Sequence, residues 1–344
     1  MDQVVKTPLA QPAPGCTPSP RTPLTAEEET KYKSLLARSR GWAEVPSTKG
    51  KAGPLTDDER MWLTRECLER YLRATKWNEQ EAEKRVLGTL TWRREFGLDE
   101  LTPEHISPEN ETGKQMIYGF DKECRPCLYL SPGRQNTQAS HRQVEHLAFM
   151  VERVLDLLPP GQETLALLIN FKPAKGQKSS GPSLSLAKEC LNMLQMHYPE
   201  RLGRALIINV PWVIWGFFKL ITPFIDPRTV VKLKFNEVMS QYVPEEQLWN
   251  EFEGGKLNFE YDHSVFWPAL WKMTQDSKAA RKERWVAGGK HIGEHESYLF
   301  GGDDKGLAAS LAAGSAVAGK SEANNPKADA NTTAVKAEKE TSTA

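Results

Sequence analysis

The residues of this chain able to do chemistry fall into a few local groups. Cys124 and Cys127 form a CxxC pair, the spacing used for thiol redox work and for half of a zinc site. Redox use needs a helix N-terminus to lower a thiol pKa, whereas here Pro126 and an apolar run follow. Zinc needs further Cys or His at suitable spacing, and no second CxxC occurs, so no metal site is expected. The loop at residues 172–182, with Lys175, Gly176, Lys178, Ser179, Ser180 and Gly181, could hold a phosphate at the start of the following helix; such loops are more often solvated connections. Glu200, in His197-Tyr-Pro-Glu-Arg-Leu-Gly203, and Lys232, in Asp226-Pro-Arg-Thr-Val-Val-Lys232, bracket an aromatic segment. Residues of that kind usually serve as surface charges or a salt bridge, and spacing alone does not exclude that use. G-x-S-x-G, Walker A and H-E-x-x-H motifs are absent, and His197 beside Tyr198 suits packing better than catalysis. No catalytic residue is assigned, and the chain is not expected to be an enzyme.

Composition narrows the class. The 344 residues carry 45 basic and 45 acidic side chains, a formal charge of zero, which argues against a nucleic-acid partner held by phosphate neutralisation. No run of about 18 apolar residues is present to span a bilayer, and the first residues lack the apolar core of a secretory signal. With five cysteines, an odd number, a reduced cytoplasmic protein is expected rather than a disulfide-stapled one.

Those residues need elements to position them. Six prolines between Pro8 and Pro23 leave residues 1–24 as a disordered leader, and no aromatic residue follows Phe300, so residues 301–344 read as a disordered tail. Within residues 25–98, Thr25 and Thr56 precede acidic first turns, Asn78 and Glu81 have capping-box spacing, and Gly97 stands where a helix would end. Trp62, Leu63, Leu68, Leu72 and Trp77 give these helices an apolar side, making a small helical module. Residues 99–275 read differently. A hairpin signal around Asp121-Lys-Glu-Cys-Arg-Pro126 is followed by a helix at residues 141–158, an apolar strand at 164–170, a helix at 183–198 and a strand at 205–210. This alternation predicts an α/β fold with a mostly parallel sheet. Residues 276–300 form a C-terminal extension, in which Arg281-Lys-Glu-Arg-Trp285 could touch anionic membrane or simply be a solvated helix end.

The segment after the last of these strands is unlike a core helix. Trp212, Trp215, Phe217, Phe218, Leu220 and Ile221 point in nearly every direction around a helix. It is either a buried connection or a lid over an apolar cavity whose outer face meets lipid.

Taken in order, H-Y-P-E-R-L-G, apolar strand, aromatic helix and P-F-I-D-P-x-T-x-x-K resemble the CRAL-TRIO phosphatidylinositol-transfer family of fungi, the Sec-fourteen-like proteins. Leu72-Arg-Ala74, Trp92-Arg-Arg-Glu-Phe-Gly97 and the hairpin turn are similar to the same family, so the resemblance covers about residues 56–275. Gly254-Gly255 and Phe266-Trp-Pro-Ala-Leu270 match best the branch associated with azole resistance.

The resemblance implies an N-terminal helical module followed by a CRAL-TRIO lipid-binding domain, with a lipid tunnel above a sheet floor. A gate helix at about residues 211–224, bearing Trp212, Trp215, Phe217 and Phe218, would close the tunnel, with Gly216 and Pro223 as hinges. It places an inositol-phosphate site on Glu200, Thr229 and Lys232: Lys232 as a cation for the phosphodiester, Thr229 as a hydroxyl donor, Glu200 as an acceptor for inositol hydroxyls. Where family members that carry phosphatidylcholine have two tyrosines, a serine and a threonine, this chain has Ile117, Leu128, Leu165 and Leu167. That argues against a phosphocholine site and suits a less polar ligand such as a sterol. Thr75 stands where many members have a basic residue. The implied protein is a monomer that meets membranes transiently, exchanges phosphatidylinositol, with a sterol as second candidate, and needs no cofactor.

Overall fold

Helix starts are written locally, and the computed structural model, which describes residues 4–173, 184–212, 214–216 and 227–310, reads them that way. Thr25 and Thr56 each accept an N–H from the glutamate three residues on, while that glutamate accepts the threonine's own N–H, closing two capping boxes that start α1 (Ala26–Arg40) and α2 (Asp57–Trp62). α3 (Arg65–Ala74) follows from Thr64. Asn78 caps α4 (Glu79–Phe96) through the Glu81 N–H, but its own N–H donates to Thr75 O at 3.1 Å, so the expected box is a single cap. α4 ends on Gly97 in the left-handed conformation at φ +72°, which costs a glycine nothing. Tyr32, Leu35, Leu63, Leu68, Leu72, Val86 and Leu90 bury the shared side of these helices, with Trp62 and Trp77 at its rim.

α5 (Pro103–Asn110) leads into the sheet. β1 (Gln115–Phe120) and β2 (Pro126–Leu130) form the antiparallel hairpin. Its turn is built on buried Asp121, whose carboxylate accepts the N–H groups of Glu123 and Arg125 at 2.9 Å each. α6 (Arg142–Asp156), β3 (Leu165–Asn170), α7 (Leu184–His197) and β4 (Leu202–Ile208) then alternate, and α8 (Pro227–Val230) precedes β5 (Leu233–Phe235). Strand order is β1-β2-β3-β4-β5, parallel from β2 onward.

Register fixes the faces. Ile117, Leu128, Leu167, Ala205 and Leu233 are successive partners across all five strands, and Leu165 points the same way two residues earlier on β3. α6 and α7 stand over this face. The opposite face carries Tyr118 and Tyr129, whose rings stack at 4.0 Å, beneath Trp249, Phe252 and Phe259. Gly119 (φ +67°) marks a bulge in β1, where a Cβ would lie 2.6 Å from the Gln247 carbonyl oxygen.

One long helix, one short one and a buried ion network tie the parts together. α9 (His263–Ala287) packs Phe266, Trp267 and Leu270 into the sheet-domain core and runs on to the helical module. The basic run at 281–285 is solvated only in part: Lys282 and Glu283 are exposed, Lys282 pairing with Asp58 at 2.6 Å, whereas Arg281 pairs with Asp156 and Trp285 is fully buried. α10 (Glu296–Leu299) brings Glu296 onto Arg70, which also reaches Glu163 at 3.0 Å. Burial pushes the Glu296 carboxyl up, yet Arg70 and Arg201 overcome that and hold it well below the usual carboxylate range.

The leader is a correction. Residues 4–24 form no helix, as their prolines require, but they lie against the body. Val5 exchanges hydrogen bonds with Asn258 and Glu260 at 2.8 and 3.0 Å, and Arg21 ion-pairs with Glu66 at 2.8 Å, Glu163 at 2.9 Å and Glu69. Proline-stiffened backbone has less entropy to lose on docking, and one guanidinium answering three carboxylates supplies an anchor. Beyond Phe300, the Leu307 N–H donates to Glu294 at 2.8 Å; residues 311–344 lie outside the described residues.

Removing one partner from a buried, hydrogen-bonded ion pair leaves the other uncompensated. Arg70→Ala is therefore expected to lower unfolding free energy by about 3–5 kcal/mol, read from urea denaturation, with an unchanged midpoint refuting the network's role.

Candidate functional site

Glu200 follows α7 in a turn that places it in the left-handed region, φ +58°. For a side chain other than glycine that conformation costs about 1 kcal/mol or more. Lys232, just before β5, donates from Nζ to Leu202 O at 2.8 Å and lies 3.9 Å from the Glu200 carboxylate. Both side chains are about a quarter exposed, at 27% and 25%. So open and long a pair contributes at most about 1 kcal/mol, unlike Arg70–Glu296, and does not account for the strained backbone by stability alone. The main chain explains the juxtaposition: the Lys232 carbonyl accepts the Ala205 N–H at 2.9 Å, continuing the β4–β5 ladder, and the Lys232 N–H donates to Thr229 O at 3.0 Å. Glu200, Thr229 and Lys232 thus gather where β4 and β5 begin.

The neighbouring histidine is packed. His197 stacks on Trp92 at 4.1 Å, its Nδ1 is 3.1 Å from Thr89 Oγ1, and burial beside Arg85 and Arg93 lowers its pKa to about 4. The Thr75 hydroxyl sits against the Tyr71, Leu72 and Asn78 carbonyls, finishing α3.

Ile117, Leu128 and Leu165 are buried and Leu167 half-buried on the sheet face beneath α6 and α7. A cavity of about 190 Å³ opens on that face, lined by Leu130, Leu147, Leu186 and Cys190 with Gln115 and His146. Sequence periodicity could have found Gln115 and Leu130, which lie two residues from Ile117 and Leu128 and so share their face. A larger cleft, about 680 Å³, lies at the other ends of the strands, among Asn170, Ile208, Asn209, Asn236, Met239 and Phe252. β5 is short, so Lys232 is only four residues, roughly 13 Å, from Asn236 at the edge of that cleft, while Glu200 is further away, before the start of β4.

Of the aromatic segment, Trp212 is 84% exposed and Trp215 packs against Phe235 of β5 at 4.7 Å. The N–H groups of Ile214 and Trp215 donate to Pro211 O at 2.9 and 3.2 Å, beginning a helical turn. Phe217, Phe218 and the Pro223 hinge lie outside the described residues, as does most of the loop at 172–182.

Cys124 and Cys127 are buried thiols. Burial raises Cys124 to about 11 and Cys127 well above its ordinary value, the opposite of what a reactive thiolate requires. Among the described residues, no three His, Cys, Asp or Glu side chains converge on a metal-sized site, and no helix is long and apolar enough to cross a membrane.

Comparison with known proteins adds the following. The family model described as the CRAL/TRIO domain matches residues 110–254, and that of the CRAL/TRIO N-terminal domain matches residues 28–87. A CRAL-TRIO domain-containing protein of Schizosaccharomyces pombe is 50% identical over 300 residues, 86% of this chain but 30% of that protein. The phosphatidylinositol transfer protein PDR17 of Saccharomyces cerevisiae is 38% identical over 302 residues, 82% of this chain and 86% of that one. The crystal structure of Sfh5 aligns with a TM-score of 0.49 at 15% identity, covering 75% of this chain and all of the other. The chain therefore spans under a third of the fission-yeast relative and most of the budding-yeast one.

A strained residue kept for its side chain has a testable signature. Glu200→Gly relieves the left-handed backbone, so its melting temperature is expected to equal or exceed that of the wild type. A clear drop in thermal unfolding would show that the carboxylate is structural.

Proposed function

This chain belongs to the CRAL-TRIO family, and on that premise we propose that it binds phosphatidylinositol and exchanges it between membranes, without covalent chemistry. The observation that carries the reading is the row Ile117–Leu128–Leu167, continued by Ala205 and Leu233. It is an apolar floor on a single sheet face, with Lys232 and Glu200 at its rim. The similarity to a phosphatidylinositol transfer protein across most of both chains supports it.

Lys232 is the cation for the phosphodiester. Its contact with the Glu200 carboxylate, at 3.9 Å, is long enough to give way to a phosphate oxygen, which would join the Leu202 carbonyl around the ammonium. Thr229 donates its hydroxyl, and Glu200 accepts from inositol hydroxyls. Acyl chains lie on the apolar floor, which offsets the cost of removing them from a bilayer, about 0.8 kcal/mol per methylene in water. Ile117, Leu128, Leu165 and Leu167 offer no polar group to a choline head, which favours a sterol as the second ligand. Exposed Trp212 at the start of the gate helix (residues 211–224) is suited to the membrane interface, so exchange occurs when that helix touches a bilayer and swings outward. The protein acts in the cytoplasm as a monomer, peripherally on membranes.

Native mass spectrometry of the purified chain is expected to find one phosphatidylinositol per protein, lost in Glu200→Ala and Lys232→Ala with sterol uptake spared. Retention of the inositol lipid by both variants would remove the head-group assignment. Trp212→Ala, a change at an exposed position, should leave thermal unfolding unaltered and slow phosphatidylinositol transfer between vesicles several-fold. Equal transfer rates would count against the gate.

A further inference from the structure

The cavity under α6 and α7 has a polar feature that the apolar floor does not explain. Gln115, the first residue of β1, places its side-chain amide nitrogen 3.3 Å from His146 Nδ1 on α6. His146 is 0% exposed. Its Nε2 and the Gln115 Oε1 are both buried and, among the described residues, without a hydrogen-bond partner. Both residues stand in the wall of the 190 Å³ cavity. The other long polar side chains of that wall are occupied: Lys114 pairs with Glu109 at 2.5 Å, Gln135 donates to Thr137 Oγ1 at 2.8 Å, and Gln143 donates to Gln138 O at 3.1 Å. An orphaned buried polar atom costs free energy comparable to a lost hydrogen bond, and here two are placed together.

What they can recognise follows from counting donors and acceptors. Burial, with Lys114 nearby, holds the His146 imidazole well below its ordinary pKa, so it is neutral at pH 7, with one N–H and one bare nitrogen. If the Gln115 amide nitrogen donates to Nδ1, then Nε2 carries the proton and the amide oxygen is left over. If the amide is turned about, its oxygen accepts from Nδ1–H, Nε2 is bare, and the amide N–H is left over. Either way the pair presents an acceptor and at least one donor. A hydroxyl is the complement of that set. An ether or ester oxygen only accepts, an ammonium only donates, and a phosphate would enter with no free cation, since Lys114 already has Glu109.

We propose that the cavity receives the hydroxyl end of a neutral lipid alcohol, an apolar molecule bearing one OH, and that His146 and Gln115 are the residues that select it. The inference rests on the carrier reading above and deepens it. At about 190 Å³ the space is smaller than the roughly 300–1,000 Å³ that takes a whole ligand, so it seats one end while the remainder runs along the floor toward Leu128 and Leu167.

The test uses the full chain incubated with phosphatidylcholine vesicles containing phosphatidylinositol. A sterol, a diacylglycerol or the methyl ether of either is added in separate arms, and lipid is extracted from the re-isolated protein. The methyl ether keeps the shape and the acceptor but loses the donor. Wild type is expected to retain one of the alcohols about tenfold over its ether, and the sterol and diacylglycerol arms show which source supplies it. His146→Leu and Gln115→Met should bring that ratio near one while phosphatidylinositol retention is unchanged; His146→Gln, which keeps a donor and an acceptor, should recover part of it. Equal retention of alcohol and ether by the wild type, or neither retained, overturns the proposal, since the pair is then answered by water alone. That comparison stands even if a variant fails to fold. Absence of phosphatidylinositol alongside a preserved alcohol preference would instead overturn the head-group reading and leave this one intact.

Discussion

The register of the parallel strands is the constraint from which the rest follows. Side chains alternate along a strand, so pairing Leu128 with Leu167 and Leu167 with Ala205 commits every odd-and-even choice in the domain. One face becomes aliphatic and is covered by α6 and α7. The other, through Tyr118 and Tyr129, is filled by Trp249, Phe252 and Phe259. A slip of one residue would present tyrosines to α6 and α7 and leave the aromatic layer without its partners. The same ladder sets the rim, because Lys232 is held by the bond that starts β4–β5 pairing.

That arrangement separates two kinds of charge. Arg70 and Glu296 are buried, Glu163 and Arg201 are partly buried, and together these ion-paired residues join the helical module, the sheet domain and the C-terminal extension. Glu200 and Lys232 are about a quarter exposed and loosely paired, and Glu200 sits on an unfavourable backbone. The first set suits a scaffold. The second suits the head-group role proposed above, since the left-handed Glu200 backbone is a local cost that the long Glu200–Lys232 contact does not offset.

How much of this was legible in the sequence depended on range. Thr25, Thr56 and Gly97 act on neighbours within four residues, so their types alone placed the helix ends; Asn78 fell short because its N–H had a nearer carbonyl in Thr75. The hairpin, the buried strands and the aliphatic quartet were readable from alternation and family pattern. Long-range partnerships were not. The fate of Arg21 depends on glutamates as far away as Glu163, and that of Arg281 on Asp156, so a proline-rich leader and a basic run gave no sign of docking. His146 was hidden differently, since a histidine among leucines on a helix reads as packing until its unanswered nitrogen is seen.

The docked leader has a practical corollary. The matched helical domain starts at residue 28, after Arg21, so boundaries drawn from the family alone would cut the strap away. A polypeptide shortened to the first helix would leave Glu66, Glu69 and Glu163 crowded together with one fewer guanidinium between them, at the seam joining module to sheet. Dissection of this protein into a minimal fragment would then weaken the join between its halves, and a loss of lipid handling in such a fragment would report on that seam as much as on the cavity.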